Sequence, residues 1–152
     1  VVPIFDASGK AVLGFGGRVL TPSEEDTVLS DNFRAPKYLN SPESLVFTKK
    51  NIIFGESLAR NSLQKLNTQA DHWPAATVVI VEGYMDAISL WGAGVKSVVA
   101  SMGTALSQEQ IMAAARVTGS RGGRIVLCLD NDQAGITAVE RLCTSGILSA
   151  VT

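Results

Sequence analysis

Residues 77–90, TVVIVEGYMDAISL, and residues 125–135, IVLCLDNDQAG, decide the fold of this chain. In each, a short apolar run ends abruptly in acid: Glu82 after the first, with Asp86 four positions on, and Asp130 and Asp132 after the second. Such a run reads as a strand buried on both faces, the kind found in helix-covered parallel sheets. α/β folds place their chemistry at the carboxyl ends of these strands, so both acidic groups are expected at one edge. Gly83 lets the first strand turn tightly into a helix, and Asp86 lies one turn along it on the same side. Asp130 and Asp132 alternate around Asn131, so an extended backbone sends both into one space. Crowded carboxylates repel one another unless a cation neutralises them. Mg²⁺ suits that task, being a hard ion that takes one or two carboxylates, keeps waters and completes its shell with substrate phosphates. Taken singly, each acid has an ordinary alternative as a solvated residue or a helix cap, Asp132 above all. Their joint placement beside glycines favours the metal.

Outward from these motifs, strands at 77–81, 95–100 and 125–129 alternate with helical segments, the pattern of a parallel-sheet α/β unit. The middle helix, expected over 107–117, has Ser107 as N-cap, Gln110 completing a capping box, and Leu106 with Ile111 as a hydrophobic staple. The last, over 133–143, is expected to bury Ile136, Val139 and Leu142 and to stop at Gly146, and 147–152 would begin a fourth strand cut at the terminus. Upstream, apolar segments at 1–5 and 11–20 flank a turn at 6–9 and predict a β-hairpin, with Gly14, Gly16 and Gly17 marking a bulge or a close backbone approach. Residues 21–36 read as a polar loop, 51–66 as a helix presenting Ile52, Ile53, Leu58, Leu63 and Leu66, and 71–76 as a linker. The expected organisation is a smaller α+β subdomain over 1–76 and an α/β domain over 77–152.

With 152 residues, 46% hydrophobic and 18% charged, the chain has a globular composition. No stretch approaches the roughly 20 uninterrupted apolar residues of a membrane span, and the N-terminus carries no signal-peptide pattern. The net charge of −1 makes no overall case for nucleic acid, but Arg18, Arg34, Lys37, Lys49 and Lys50 gather in the first third, away from the motif acids. The two cysteines, Cys128 and Cys143, lack metal-ligand spacing and are expected to be reduced core residues.

VEGYMDAISLWGAGVKSVVASMGTALSQEQ followed by IVLCLDNDQAG resembles a Toprim domain, the metal-binding α/β module of bacterial-type primases, topoisomerases and some nucleases. Its signature, a Glu ending the first strand and a D-x-D ending the third, is matched by Glu82, Asp130 and Asp132. Upstream, IFDASGKAVLGFGGRVL and APKYLNSPESLVFTKKNIIFGESLAR resemble the segment preceding Toprim in the RNA polymerase core of DnaG-like DNA primases, so the resemblance covers nearly the whole chain. It implies synthesis of short RNA primers on single-stranded DNA from ribonucleoside triphosphates. It also implies Mg²⁺, with Mn²⁺ as a substitute, held by Asp130 and Asp132, with Glu82 as a further metal ligand or an acid/base group and Asp86 taking part in catalysis. Arg18, Lys37, Tyr38, Asn40 and Lys49 match the family's basic and polar residues around the nucleotide and template, and Gly103 and Thr104 would present backbone amides to a phosphate. Zinc is expected only in a module absent from this chain, and the replicative helicase only through regions absent from it. The implied location is the nucleoid-associated cytoplasm of a bacterium, or an organelle.

Two features depart from the family pattern: SEEDTVLSDNF lengthens the connection before PKYLNSPE, and Asn131 stands where many relatives have Gly. Competing readings are a Toprim nuclease or topoisomerase, the latter needing a nucleophilic tyrosine that neither Tyr38 nor Tyr84 supplies by motif, and a non-catalytic module binding nucleotide or single-stranded DNA. Trp73 and Trp91 are expected to pack, and His72 has no companion ligands.

Overall fold

A computed structural model describes residues 1–19, 38–67, 76–103, 105–119 and 123–146, together with the backbone of 28–30 and 33–34. The hairpin forms as its apolar runs predict. Strands β1 (Val2–Phe5) and β2 (Val12–Arg18) pair antiparallel, with a register shift at Ile4/Phe5 that marks a bulge. Asp6 closes the turn, accepting the Ser8 hydroxyl at 2.6 Å and the amides of Lys10 and Ala11. These bonds favour the charged form and hold its carboxyl at about 2, below the ordinary 3.8. Residues 21–36 are not all loop: a small antiparallel pair, β3 (Val28–Ser30) and β4 (Phe33–Arg34), lies within them. Strand β5 (Tyr38–Asn40) then joins the other edge of β2, giving the order β1-β2-β5.

The helix expected over 51–66 begins later. Residues Lys49–Asn51 form a single 3₁₀ turn, Ile52 continues extended, and Phe54 makes an antiparallel bridge to Ala100. Helix α1 (Glu56–Asn67) starts only after Gly55. Gly55 has φ +84°, and a Cβ there would lie 2.6 Å from the Trp91 ring, so both backbone and space require glycine. Ile52 and Ile53 fit a helical stripe and an extended segment equally well, which is why the pattern misplaced the boundary.

The second half is a parallel sheet in the order β7-β6-β8, built from β6 (Thr77–Val81), β7 (Val98–Ala100) and β8 (Arg124–Cys128). Helices α2 (Tyr84–Gly92), α3 (Gln108–Thr118) and α4 (Gln133–Thr144) follow these strands in turn. The alternation of side chains sorts the sheet into two cores. Val78, Ile80 and Val99 face a core with Ala59 and Leu63 of α1, Ile111, Ala114 and Val117 of α3, and Leu142 of α4. Val81, Val98 and Ala100 face the other, with Tyr84 and Ala87 of α2, Phe54, and the upstream residues Ile4 and Phe47. The upstream hairpin thus packs on the α2 side of the sheet.

Three burial expectations fail. Ile136 and Val139 are 46% and 39% exposed, and only Leu142 of the predicted α4 face is buried. Cys128 and Cys143 are free but exposed rather than in the core. Cys128 and Val126 lie on the face of β8 away from Ile125 and Leu127, and among the described residues no element covers that face. Trp91 packs as expected, stacked on Phe54 at 5.4 Å with its indole donating to the Val98 carbonyl at 3.2 Å. His72, Trp73, most of the expected linker and 147–152 lie outside the described residues. No helix among the described residues is long and apolar enough to cross a membrane.

Replacing Gly55 with Ala should destabilise the protein by about 1–3 kcal/mol, the scale of a side chain forced into a positive-φ position, with the loss read as a lower urea midpoint.

Candidate active site

Glu82 and Asp130 leave adjacent strands at the same edge of the sheet. Val81 pairs with Cys128, so the two acids emerge just beyond the last matched rung. The half-buried Glu82 carboxylate accepts the Asp130 backbone N–H at 2.9 Å, stitching strand ends 48 residues apart in sequence. Gly135, in the first turn of α4, makes this approach feasible: a Cβ there would sit directly against the Asp130 carbonyl oxygen and 3.2 Å from Glu82 Oε1.

The other two acids serve local structure. Asp132 is the N-cap of α4, its Oδ1 accepting the Gly135 N–H at 2.8 Å. Asp86, at the third position of α2, reaches back to accept the N–H of its N-cap residue Gly83 at 3.1 Å. Its carboxylate secures the turn after Glu82. Among the described residues, no three acidic, His or Cys side chains gather into a ready-made metal cluster. The donors nonetheless suit a hard cation in kind: all are carboxylates, Asp130 and Asp132 are exposed, and Glu82 and Asp132 have acceptor capacity beyond the bonds described.

A cleft of about 180 Å³ opens here, lined by Glu82, Ser101, Gly103, Ala105, Leu106, Leu129, Ala134 and Ala138. Gly103 has φ +75°, but its N–H donates to the Glu82 carbonyl at 3.1 Å, so the amide holds the loop instead of facing outward for a phosphate. Thr104 lies outside the described residues, as does Lys37.

The upstream polar residues reach this edge through a tyrosine that the sequence left without a role. Tyr84, two residues after Glu82 and 3% exposed, donates its hydroxyl to the Gly17 carbonyl at 2.7 Å. Its ring meets Tyr38 edge-on at 5.8 Å, and a Cβ on Gly16 would lie 3.0 Å from it. Arg18, paired with Tyr38 across the strands, sets its guanidinium 5.5 Å from the Tyr38 ring centroid, a cation–π contact. Burial lifts the Tyr84 phenol above its ordinary value of 10, with a smaller contribution from Tyr38, so it stays a protonated donor. A hydroxyl so engaged is no free nucleophile. Asn40 is half-buried beside Gly16, and its Oδ1 has no hydrogen-bond partner. Lys49 is half-buried and Lys50 exposed on the 3₁₀ turn, with the Lys49 amide donating to Glu43 at 3.0 Å. Glycines at 16 and 17 were the signal for Tyr84, since they marked a close approach without naming what approaches.

A parallel sheet with a Glu at one strand end and a D-x-D at the next defines a Toprim-type module, and residues 79–148 match the family model described as Toprim-like. Residues 1–60 match the N-terminal domain of the DNA primase catalytic core. The chain belongs to the DnaG-type DNA primase family. It is 42% identical over 141 residues to a DNA primase of Synechococcus elongatus, covering 93% of this chain and 17% of the relative. The RNA polymerase domain of Mycobacterium tuberculosis primase DnaG superposes with a TM-score of 0.69 at 31% identity, over 92% of this chain and 40% of that one. A DnaG primase catalytic domain bound to single-stranded DNA matches with a TM-score of 0.68 at 32% identity, over 95% of this chain and 38% of that one. The chain thus spans under a fifth of the curated relative and about two fifths of the solved domains.

Tyr84→Phe should keep the ring packing and lose the strut to Gly17, lowering stability by about 1 kcal/mol, the net worth of one such bond, as read from urea unfolding beside wild type.

Proposed function

We propose that the protein containing this chain is a DNA primase, a DNA-directed RNA polymerase that makes short RNA primers on single-stranded DNA by metal-dependent nucleotidyl transfer during replication. The observation that carries this is the pairing of Glu82 with the Asp130 backbone at one sheet edge, with Arg18 and Tyr38 tied to the same edge through Tyr84. Membership in the primase family and the likeness to a domain bound to single-stranded DNA support it.

In this reading the chain divides near residue 76 into a nucleotide- and template-holding part and a Toprim part. Glu82, Asp130 and Asp132 would hold Mg²⁺, which when bound supplies the positive charge that offsets triphosphate and leaving-group charge. Arg18 and Lys49, with Lys37, add fixed cations for phosphate oxygens, and Tyr38 and Asn40 border the same surface. Asp86 and Gly135 hold the turn and the first helical turn that set the metal carboxylates. Thr104 remains a candidate phosphate contact through its backbone amide. Contacts to template phosphates are largely independent of sequence and weaken with salt. Zinc binding and helicase contact belong to other parts of the protein, and the working place is the cytoplasm, at the nucleoid.

The test is labelled ribonucleotide incorporation on single-stranded DNA by the full-length protein with Mg²⁺. Glu82→Gln and Asp130→Asn should each cut primer synthesis by about 10²-fold or more, the cost of losing a main electrostatic stabiliser. Metal-dependent DNA cleavage without RNA products would move the assignment to a Toprim nuclease or topoisomerase. In the same assay Gly135→Ala should lower activity as severely as Asp130→Asn, because the added methyl displaces the Asp130 loop.

A further inference from the structure

Gln110 does more than cap its helix. It is fully buried, and only one of its bonds belongs to the predicted capping box on the side-chain side, the Ser107 N–H donated to its Oε1 at 3.2 Å. The amide nitrogen lies 3.0 Å from the Lys49 carbonyl, 2.9 Å from the Ile52 carbonyl and 3.3 Å from the Ser101 carbonyl. Two N–H groups thus serve three acceptors, one at each end of the basic 3₁₀ turn and one in the loop after β7. Ser107 adds a second tie, its hydroxyl donating to the Lys50 carbonyl at 2.5 Å. On the other side, the Ser101 hydroxyl donates to the Glu82 carbonyl at 3.3 Å, and the Gly103 amide donates to the same oxygen. A continuous path of hydrogen bonds therefore runs from the backbone of Glu82 through Ser101 and Gln110 to the backbone of Lys49.

From this geometry we infer that Gln110 is a positioning residue for nucleotide binding: it fixes the Lys49–Lys50 turn, and hence its two cations, relative to the Glu82 carboxylate edge. The inference rests on the proposed primase reading, in which Lys49 supplies a cation for phosphate oxygens, and it extends that role to the neighbouring Lys50. The 3₁₀ turn is short, only three residues, and it packs no buried side chain of its own. Its placement therefore depends on what grips its backbone, the Lys49 amide being held by Glu43 and the carbonyls from the α3 side. Gln110 grips the first and the residue after the last, and Ser107 the middle one. A buried amide is suited to this work because it is uncharged and carries two donors and an acceptor in one plane. Removing it strips these part-buried carbonyls of their side-chain donor, and the turn relieves that cost by moving toward water.

The experiment measures steady-state primer synthesis by the full-length protein, varying the ribonucleoside triphosphate. Gln110→Met keeps approximate volume and removes every side-chain hydrogen bond. It should raise KM for the triphosphate by about tenfold, on the scale of coupling between contacting groups, with kcat changed much less. Lys49→Gln/Lys50→Gln should raise KM at least as much, and adding Gln110→Met to that background should raise it no further. Ser107→Ala, a milder change, should move KM the same way and show the same masking, and it decides the matter if Gln110→Met does not fold. A Gln110→Met variant with an unchanged KM, or one whose effect multiplies that of the lysine changes, overturns the inference while leaving the primase assignment standing. Unchanged KM in the lysine variant overturns the inference together with the role of the turn in nucleotide binding. Absence of RNA synthesis by the wild type under all conditions is the separate failure of the primase reading.

Discussion

Pairing on both edges of β6 is the constraint from which the rest of the architecture follows. All five of its residues, Thr77–Val81, are matched to β8 on one side, and the last three, Val79 to Val81, to β7 on the other, all parallel. Parallel strands place their carboxyl ends together, so the chain after each strand must leave from one edge and return by a helix. That alone gathers Glu82, Ser101 and Leu129 around one cleft, with Asp130 the next residue along the chain. It also leaves both faces of β6 to be covered, which α1 and α3 do on one side and α2 with the upstream hairpin on the other. The hairpin and the Toprim-type sheet consequently share a core through Ile4, Phe47, Phe54 and Tyr84.

Polar groups at that edge are shared between architecture and chemistry. Asp86 and Asp132 each satisfy an amide at the start of a helix, where a negative charge is favoured by the helix dipole. Glu82 divides its capacity between the Asp130 amide and the open cleft. Two separate routes then connect the upstream cations to the acidic edge. One runs through aromatic rings, Arg18 to Tyr38 to Tyr84, and the other through backbone carbonyls held by Gln110. Both routes enter within a few residues of a strand end, so the position of these cations is set by the most regular part of the fold.

Much of this was legible in the sequence because the signals were local. The strand at 77–81, the hairpin, and the Ser107–Gln110 capping box all follow from periodicity and short spacing, and the structure has each of them. What could not be read was long-range. Gln110 fits a capping box completely, and nothing in the neighbouring residues tells that its amide reaches back some 60 positions to the Lys49 turn. The unbroken apolar run at 125–129 implied a strand buried on both faces, whereas packing covers only one face among the described residues, leaving Val126 and Cys128 exposed. Ile136 and Val139 misled in the same way: their spacing defines an apolar stripe on α4, but only its end at Leu142 meets the core. Asp86 carries a readable sign of its capping role, an acid three residues after the glycine that caps α2.

The outward placement of Cys128 turns a misjudged core residue into an experimental handle. Its thiol lies two positions before Asp130, and Cys143 presents a second from the far end of α4. Spin labels or fluorophores attached to these native thiols would bracket that helix. The interval between them would register any shift of the Asp130 loop as nucleotide or DNA arrives, without a cysteine having to be engineered into the chain.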